Sequence, residues 1–517
     1  MRLRLHDTMT GRLLPLVPQR PGEVRIYCCG PTVYDRGHVG HARAALAPDI
    51  LVRHLRAQGA RVTYVRNITD VDDKILKRAQ DTGEPPMQLS ARMAALYEQE
   101  MAALGCVRPD VEPKVSEHIE PIVALVERIV ANGNGYAVEL PGGATDVYFS
   151  VRSFPAYGKL SKRDIDELQV GARIERSEHK RDPLDFALWK GAAPEGWGWP
   201  SPWGRGRPGW HIECSAMSSK YLGHGFEVHC GGMDLIFPHH ENEIAQSEAA
   251  FPGQGPFVQL WMHNGFVNVD KEKMAKSLGN FVTIEDVYAR YDPEALRYFL
   301  LGVHYRGPVG FETEKLEGGR VVFPGIAEAE RRVDYLYATS ERLGELAARA
   351  EGEPPPAAAG TPPELGAARE AAARAPERLS EALDDDLNTP VGLAVVAELG
   401  RLGNELCDLA QKRRKDRRFV AAAAATAGEL ARALRRALDV LGLVQSEPAA
   451  YRQRTQSKRL GMLGLSAAQV EERLAQREQA RQAKDFARAD GIRAELAALG
   501  VELADSAQGT SWRVGVR

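Results

Sequence analysis

Three features of the sequence predict an α/β chain: a Rossmann-like nucleotide-binding catalytic domain interrupted by an inserted domain and followed by α-helical C-terminal domains. The first is a strand, loop and helix near the start. Glu23 to Cys29 reads as a short buried strand, Pro31 and Gly37 mark a tight loop, and Ala45, Leu46, Ile50, Leu51 and Leu55 recur at helical spacing. The second is the strand-like run Phe226 to Cys230, which ends in Gly231-Gly232-Met233-Asp234. A glycine pair there lets a ligand approach the backbone, and an acid just beyond it can accept from a ribose hydroxyl. The third is a change of character between about Glu117 and Arg207, first helical and then rich in Gly, Pro and Trp, which reads as an insertion between two halves of one fold.

At 517 residues the chain exceeds what one core organises, so three or four domains are expected. Its 44% hydrophobic and 26% charged residues suit a globular protein. No apolar run reaches membrane-spanning length, and Arg2, Arg4, His6 and Asp7 break up any secretory leader, so a cytoplasmic protein without membrane attachment is expected. Six cysteines without a dense pattern argue against a disulfide scaffold and favour metal binding or catalysis wherever folding gathers them. A net charge of −3 neither announces nor excludes nucleic acid as a partner, because phosphate contacts depend on local basic surface.

In order along the chain, a ligand of the first unit sits beyond the carboxyl end of the strand, facing the first turn of the helix. His38 and His41 share a face of that turn and can donate to phosphate oxygens that gain charge during phosphoryl or nucleotidyl transfer; an ordinary capping pair fits the same pattern. Pro48, well inside the helix, should kink it. Arg61 to Val65 alternates like a second strand and ends in Asn67-Ile68-Thr69-Asp70-Val71-Asp72-Asp73, which suits either a metal or a helix start capped by Thr69 or Asp70.

After the insertion, Pro238 marks a helix start and sets His239 and Glu243 four apart on one face, a spacing that suits a divalent metal. Two more ligands would close a tetrahedron, and Cys29 and Cys214 can both lie at the carboxyl edge of one parallel sheet. Singly, each of the four is more often a solvated or core side chain; together they point to a metal. Phe257 to Val269 reads as strand. Asp270 to Asn280 reads as a surface loop whose Lys273 and Lys276 can reach a nucleoside triphosphate and neutralise charge that grows in the transition state. The remainder is mostly helical: alanine-rich amphipathic segments flank a proline-rich linker, Gly352 to Pro363, and a last unit after Glu447 holds a helix around Ala467 to Leu499 and a tail with Trp512 and Arg513.

These residues carry a resemblance. His38-Val39-Gly40-His41 and Lys273-Met274-Ala275-Lys276-Ser277 resemble the two signatures of class I aminoacyl-tRNA synthetases, in order and in placement. Cys29 to Asp35, Asn67 to Asp73, Gly209 to Ala216, Phe237 to Gln246 and Leu383 to Pro390 are similar to cysteinyl-tRNA synthetases, and the similarity covers essentially the whole chain. Val39 stands for the usual isoleucine and Ala275 for a serine of the lysine loop, and Cys28 is an extra neighbour of Cys29.

The resemblance implies ATP-dependent activation of L-cysteine, with Mg2+, to cysteinyl-adenylate and transfer to the 3′ end of tRNA(Cys). It implies one Zn2+ per chain on Cys29, Cys214, His239 and Glu243, and catalytic roles for His38, His41, Lys273 and Lys276. Thr69, Trp210, Asp234 and Lys276 would line the amino-acid and nucleotide site. Zinc suits the task because a coordinated thiol loses its proton, whereas the hydroxyl of serine is a harder, less acidic donor. The expected division is a catalytic first half at 1–116, an inserted connective domain at 117–207, a catalytic second half at 208–256 and a lysine-loop stem-contact region at 257–320. A helical bundle at 321–446 and an anticodon-binding domain at 447–517 complete it, in a monomer. Within the bundle, Lys412 to Arg418 is either a solvated helix end or a contact for tRNA phosphates. In the tail, Trp512 and Arg513 either stack on unpaired bases or pack on the last helix. A cut after Ser446 is expected to spare cysteine activation. Ligases that join cysteine to an amino sugar share the zinc and the adenylation but lack the last domain, which this chain has.

Overall fold

The computed structural model describes residues 2–163, 179–194, 196–270, 272–273, 281–315, 321–349, 362–506 and 509–516. A hairpin of β1 (Arg4–Asp7) and β2 (Arg12–Pro15) leads into β3 (Glu23–Cys28), α1 (Val39–Ala57), β4 (Arg61–Arg66), α2 (Asp73–Thr82) and α3 (Pro86–Ala103). Then α4 (Ile119–Ala131) precedes an antiparallel sheet of β5 (Gly135–Glu139), β6 (Thr145–Phe149), β7 (Phe186–Gly191) and β8 (Gly206–Pro208), paired in that order. The first fold resumes with α5 (Trp210–Leu222), β9 (Phe226–Gly232), α6 (Glu241–Ala250) and β10 (Val258–Asn264).

The four strands of that fold form one parallel sheet in the order β10-β9-β3-β4. Their central residues are buried on both faces of the sheet. Ile26, Cys28, Val228, Cys230, Leu260 and Met262 face α1 and the helices beyond it. Tyr27, Val65 and Trp261 face the other side, against Ile212 and Met217 of α5 and Ile244 of α6. The helix α1 continues through Pro48. The cap of α2 is Asp72, whose carboxylate accepts from Lys74 N–H, rather than Thr69 or Asp70; Asp70 is engaged instead by the amide and hydroxyl of Ser116, 46 positions away.

Downstream lie β11 (Val267–Val269), β12 (Glu272–Lys273), α7 (Ile284–Tyr288), α8 (Pro293–Leu301), β13 (Val309–Phe311), β14 (Glu314–Lys315) and β15 (Val321–Val322). The bundle is α9 (Pro324–Ala348), α10 (Gly366–Asp384), α11 (Thr389–Lys412) and α12 (Arg417–Leu441). It shares one apolar core with the parallel sheet, in which Leu51 of α1 and Leu434 of α12 belong to the same cluster. Most of the proline-rich linker lies outside the described residues.

Next, α13 (Pro448–Met462) lies along α9, with Tyr451 stacked on Tyr337 at 3.8 Å. Its Arg454 pairs with Asp292 at 2.6 Å and Glu294 at 3.2 Å, and its Arg459 with Asp334 at 2.8 Å and Glu330 at 3.5 Å. Asp292, Glu294 and Glu330 are buried, so a cut after Ser446 would strand three carboxylates. The terminal unit is α14 (Ala467–Gln482), α15 (Phe486–Ala498), β16 (Val501–Ser506) and β17 (Gly509–Val514), around a small core of Leu460, Val470, Ile492, Leu496, Val501 and Val514. The single helix expected over 467–499 breaks in two, because Lys484 takes a left-handed φ of 62° and Asp485 caps a new helix.

Candidate active site and metal centre

Cys29 follows directly on β3, Cys214 lies on the second turn of α5, His239 on the short helical turn Ile236–His240, and Glu243 on the first turn of α6. The sheet brings these four together from up to 214 positions apart. Cys29 Sγ is 3.7 Å from Cys214 Sγ, 3.5 Å from His239 Nε2 and 3.4 Å from Glu243 Oε1; His239 Nε2 is 3.0 Å from Glu243 Oε1. A tetrahedral zinc site has S···S edges of about 3.8 Å, S···N edges of about 3.5 Å and N···O edges of about 3.3 Å. The donor set therefore fits zinc in chemistry and in size.

Two of the donors, Glu243 and Cys214, are held in the form that binds a metal, while Cys29, pushed up by burial, and His239 hold protons that binding would release. Burial pushes Glu243 upward, but His229 and His239 outweigh it and hold the carboxylate at about 2. Burial pulls His239 down, and Glu243 and Cys214 raise it to about 10. The thiol of Cys29 bonds to Cys214 and, against burial, lowers it to about 6. A second set, Cys29, His229, His240 and Glu243, is also close enough to share an ion. In it His229 Nε2 sits 2.9 Å from the second oxygen of Glu243, Oε2, and His240 Nδ1 sits 2.7 Å from His263 Nε2 outside the set. The first set, with two thiols, is the better host for a soft divalent metal, and His229 orients its carboxylate. Sequence reading missed His229, His240 and His263. The only sequence trace of two of them is their place on adjacent parallel strands, His229 in the middle of β9 and His263 near the carboxyl end of β10.

Beside the four ligands opens a cavity of about 430 Å³. Cys29, His38, His41, Trp210 and Asp234 line it, which joins the metal side to the first turn of α1. His38 caps α1: its Nδ1 accepts from Gly40 N–H at 3.1 Å, and His41 Nδ1 accepts from His38 N–H at 3.2 Å. The rings stack at 3.7 Å. Capping and catalysis are thus compatible, because accepting at Nδ1 leaves Nε2 as the donor of each neutral ring. The indole of Trp210 lies 4.4 Å from the His239 ring, and Lys74 stands over the rings of Tyr34 and Trp210 at the cavity mouth. Asp234 folds its carboxylate over Gly232, where a Cβ would collide with it. Thr69 is buried behind this wall: its N–H donates to Pro31 O at 3.1 Å and its hydroxyl to Glu213 at 3.4 Å. Lys273 belongs to β12, paired with Asn268, while Lys276 and Ala275 lie outside the described residues. Trp512 donates to Glu471 at 2.7 Å and packs on the terminal core. No helix among the described residues is long and apolar enough to cross a membrane.

Comparison with known proteins agrees with this geometry. Residues 15–320 match the family described as tRNA synthetases class I (C) catalytic domain, 378–445 the DALR domain, and 465–513 the cysteinyl-tRNA ligase anticodon binding domain. Proteins named cysteine–tRNA ligase from Anaeromyxobacter sp. (strain K) and Geobacter sulfurreducens are 49% and 48% identical, each over 99% of this chain and 100% of the relative. In fold, the chain is similar to a Mycobacterium tuberculosis methionyl-tRNA synthetase in complex with methionyl-adenylate, at a TM-score of 0.59 and 16% identity over 86% of this chain and 95% of that one. A putative arginyl synthetase from Campylobacter jejuni aligns at a TM-score of 0.51 and 13% identity, over 84% and 95%. On the strength of its catalytic-domain match and its full-length relatives, the chain belongs to the cysteine–tRNA ligase family of class I tRNA synthetases.

Proposed function

We propose that this chain activates L-cysteine with ATP and Mg2+ to cysteinyl-adenylate and transfers the cysteinyl group to the 3′ end of tRNA(Cys), with Zn2+ on Cys29, Cys214, His239 and Glu243 selecting the thiol. The observation that carries the reading is the tetrahedral spacing of those four donors at the wall of the cavity that also holds His38 and His41. Bound zinc supplies a Lewis acid that takes the cysteine sulfur as thiolate and discriminates against serine, which a pocket based on size alone would reject poorly.

The chain's own residues do the rest. Cys29 and Cys214 fix the sulfur end of the pocket, and the Trp210 ring covers it from the cavity side. His38 and His41, each aimed by its capping bond, donate from Nε2 to the phosphate oxygens of ATP as pyrophosphate departs. Lys273 and Lys276 neutralise the same charge. Asp234 accepts from the nucleotide ribose or the substrate ammonium, and Thr69 shapes the amino-acid end. The unit at 465–513 and the basic run Lys412 to Arg418 hold tRNA by its anticodon end and its phosphates. The protein works as a monomer in the cytoplasm, where its substrates are.

Cysteine-dependent exchange of labelled pyrophosphate into ATP, followed by charging of purified tRNA(Cys), tests the reading. Exchange that serine or methionine supports as well as cysteine would overturn the selection; exchange without charging would overturn the transfer.

A further inference from the structure

The turn that presents His38 and the segment that ends the lysine loop are one piece. Val39 N–H donates to Val282 O at 3.2 Å, Ile284 N–H donates to Gly37 O at 3.0 Å, and His38 bridges Thr283. The ring of Phe281 meets His38 edge-on at 4.9 Å, and Arg36 pairs with Glu285 at 2.8 Å. Beneath this piece lies Glu100 of α3, which is 8% exposed. Its Oε2 is buried against the Gly37 turn, and it occupies the place where a side chain on Gly37 would go: a Cβ there would collide with Oε2 and lie 3.1 Å from Ile284 Cδ1. From the other side Tyr288 of α7 donates to Glu100 O at 3.0 Å. A carboxyl buried under a catalytic turn, at a contact only glycine permits, does more than fill space. Simple packing would be served by an apolar side chain at less cost.

We propose that Glu100 is a positioning residue for adenylate formation, which seats the Gly37 turn and thereby holds His38, His41 and the Phe281–Ile284 end of the lysine loop in one register. The inference rests on the adenylation reading above. The carboxyl also titrates near neutrality: burial raises it to about 7, with Glu285 adding to the rise and Arg36 and the Gly37 amide opposing it. Because the folded pKa is raised, the stability linked to this proton is full below the ordinary glutamate range and lost as pH rises through about 7. Glu100→Gln, which cannot ionise, should therefore melt above wild type at alkaline pH and keep the seat.

The test pairs Glu100→Ala, Glu100→Gln and Gly37→Ala with the double variant Gly37→Ala/Glu100→Ala. In the full chain, Glu100→Ala should speed amide hydrogen exchange several-fold in both 37–41 and 281–288 and leave 448–462 unchanged. In pyrophosphate exchange it should raise KM for ATP and lower kcat, together about tenfold or more in kcat/KM, with KM for cysteine nearly constant. Glu100→Gln should recover most of that loss, and the double variant should fall short of additivity, because removing Glu100 makes room for the new methyl. Unchanged amide exchange in either segment, equal losses for ATP and cysteine, or additive single variants would overturn the proposal. The amide exchange reads the seat whatever the reaction; an inactive wild type would instead count against adenylation.

Discussion

The metal-and-nucleotide cleft and the terminal unit beyond Leu463 are built on opposite plans. The cleft gathers Cys29, Cys214, His239 and Glu243 from three regions of the chain into a cluster that is buried except at Cys29, which faces the cavity, and in which Glu243 and His239 stabilise each other's charge. The terminal unit draws five of its six core side chains from its own residues and the sixth, Leu460, from α13; Arg459 and Arg331 donate to its Val514 and Val516 carbonyls, and pairs such as Arg513 with Glu502 stand in solvent at 81% and 55% exposure. The difference shows where each function is vulnerable. Parts of the cleft cannot be removed singly without stranding a partner, whereas removing the terminal unit leaves the pairs of Arg454 and Arg459 with Asp292, Glu294 and Glu330 in place.

The sharpest way to break this contrast is at the metal. Cys214→Ser should lose both the zinc, read by elemental analysis of the purified chain, and cysteine activation by a factor on the order of a thousand. A variant that sheds metal yet exchanges pyrophosphate normally would remove the cleft's claim to act as a unit. Next in size, Lys276→Ala should slow adenylate formation about a hundredfold with little change in cysteine affinity, since a loop cation acts on the departing phosphate. Equal losses in rate and affinity would assign it to folding instead.

Two truncations then locate the border. A chain ending after Gly464 should keep pyrophosphate exchange and lose tRNA charging mainly through affinity. A chain ending after Ser446 removes Arg454 and Arg459 from Asp292, Glu294 and Glu330, and should be destabilised by about 3–5 kcal/mol, visible as a lower melting midpoint and impaired exchange. Indistinguishable melting of the two would place the border at Ser446 after all. The smallest effect is expected at the surface: Arg513→Ala should change stability by no more than about 0.5 kcal/mol.

What the sequence determined alone was local or periodic. The strand, tight loop and helix around His38 and His41 were legible because Pro31, Gly37 and the apolar spacing that follows act over a few residues. So was the pairing of His239 with Glu243, and Cys29 followed from its place at a strand end of a parallel sheet, whereas Cys214 reaches the same place from the second turn of a helix, α5. Choices between equal local alternatives went the other way. The cap of α2 moved to Asp72 because Ser116, 46 positions on, claims Asp70, and Trp512 packs on the terminal core because Glu471 takes its N–H. Histidines 229, 240 and 263, the seat of Gly37 on Glu100, and the attachment of α13 to α9 depend on which faces meet across 14 to 129 positions. Hydrogen bonds and buried charges at such separations are set by tertiary packing, and no local pattern encodes them.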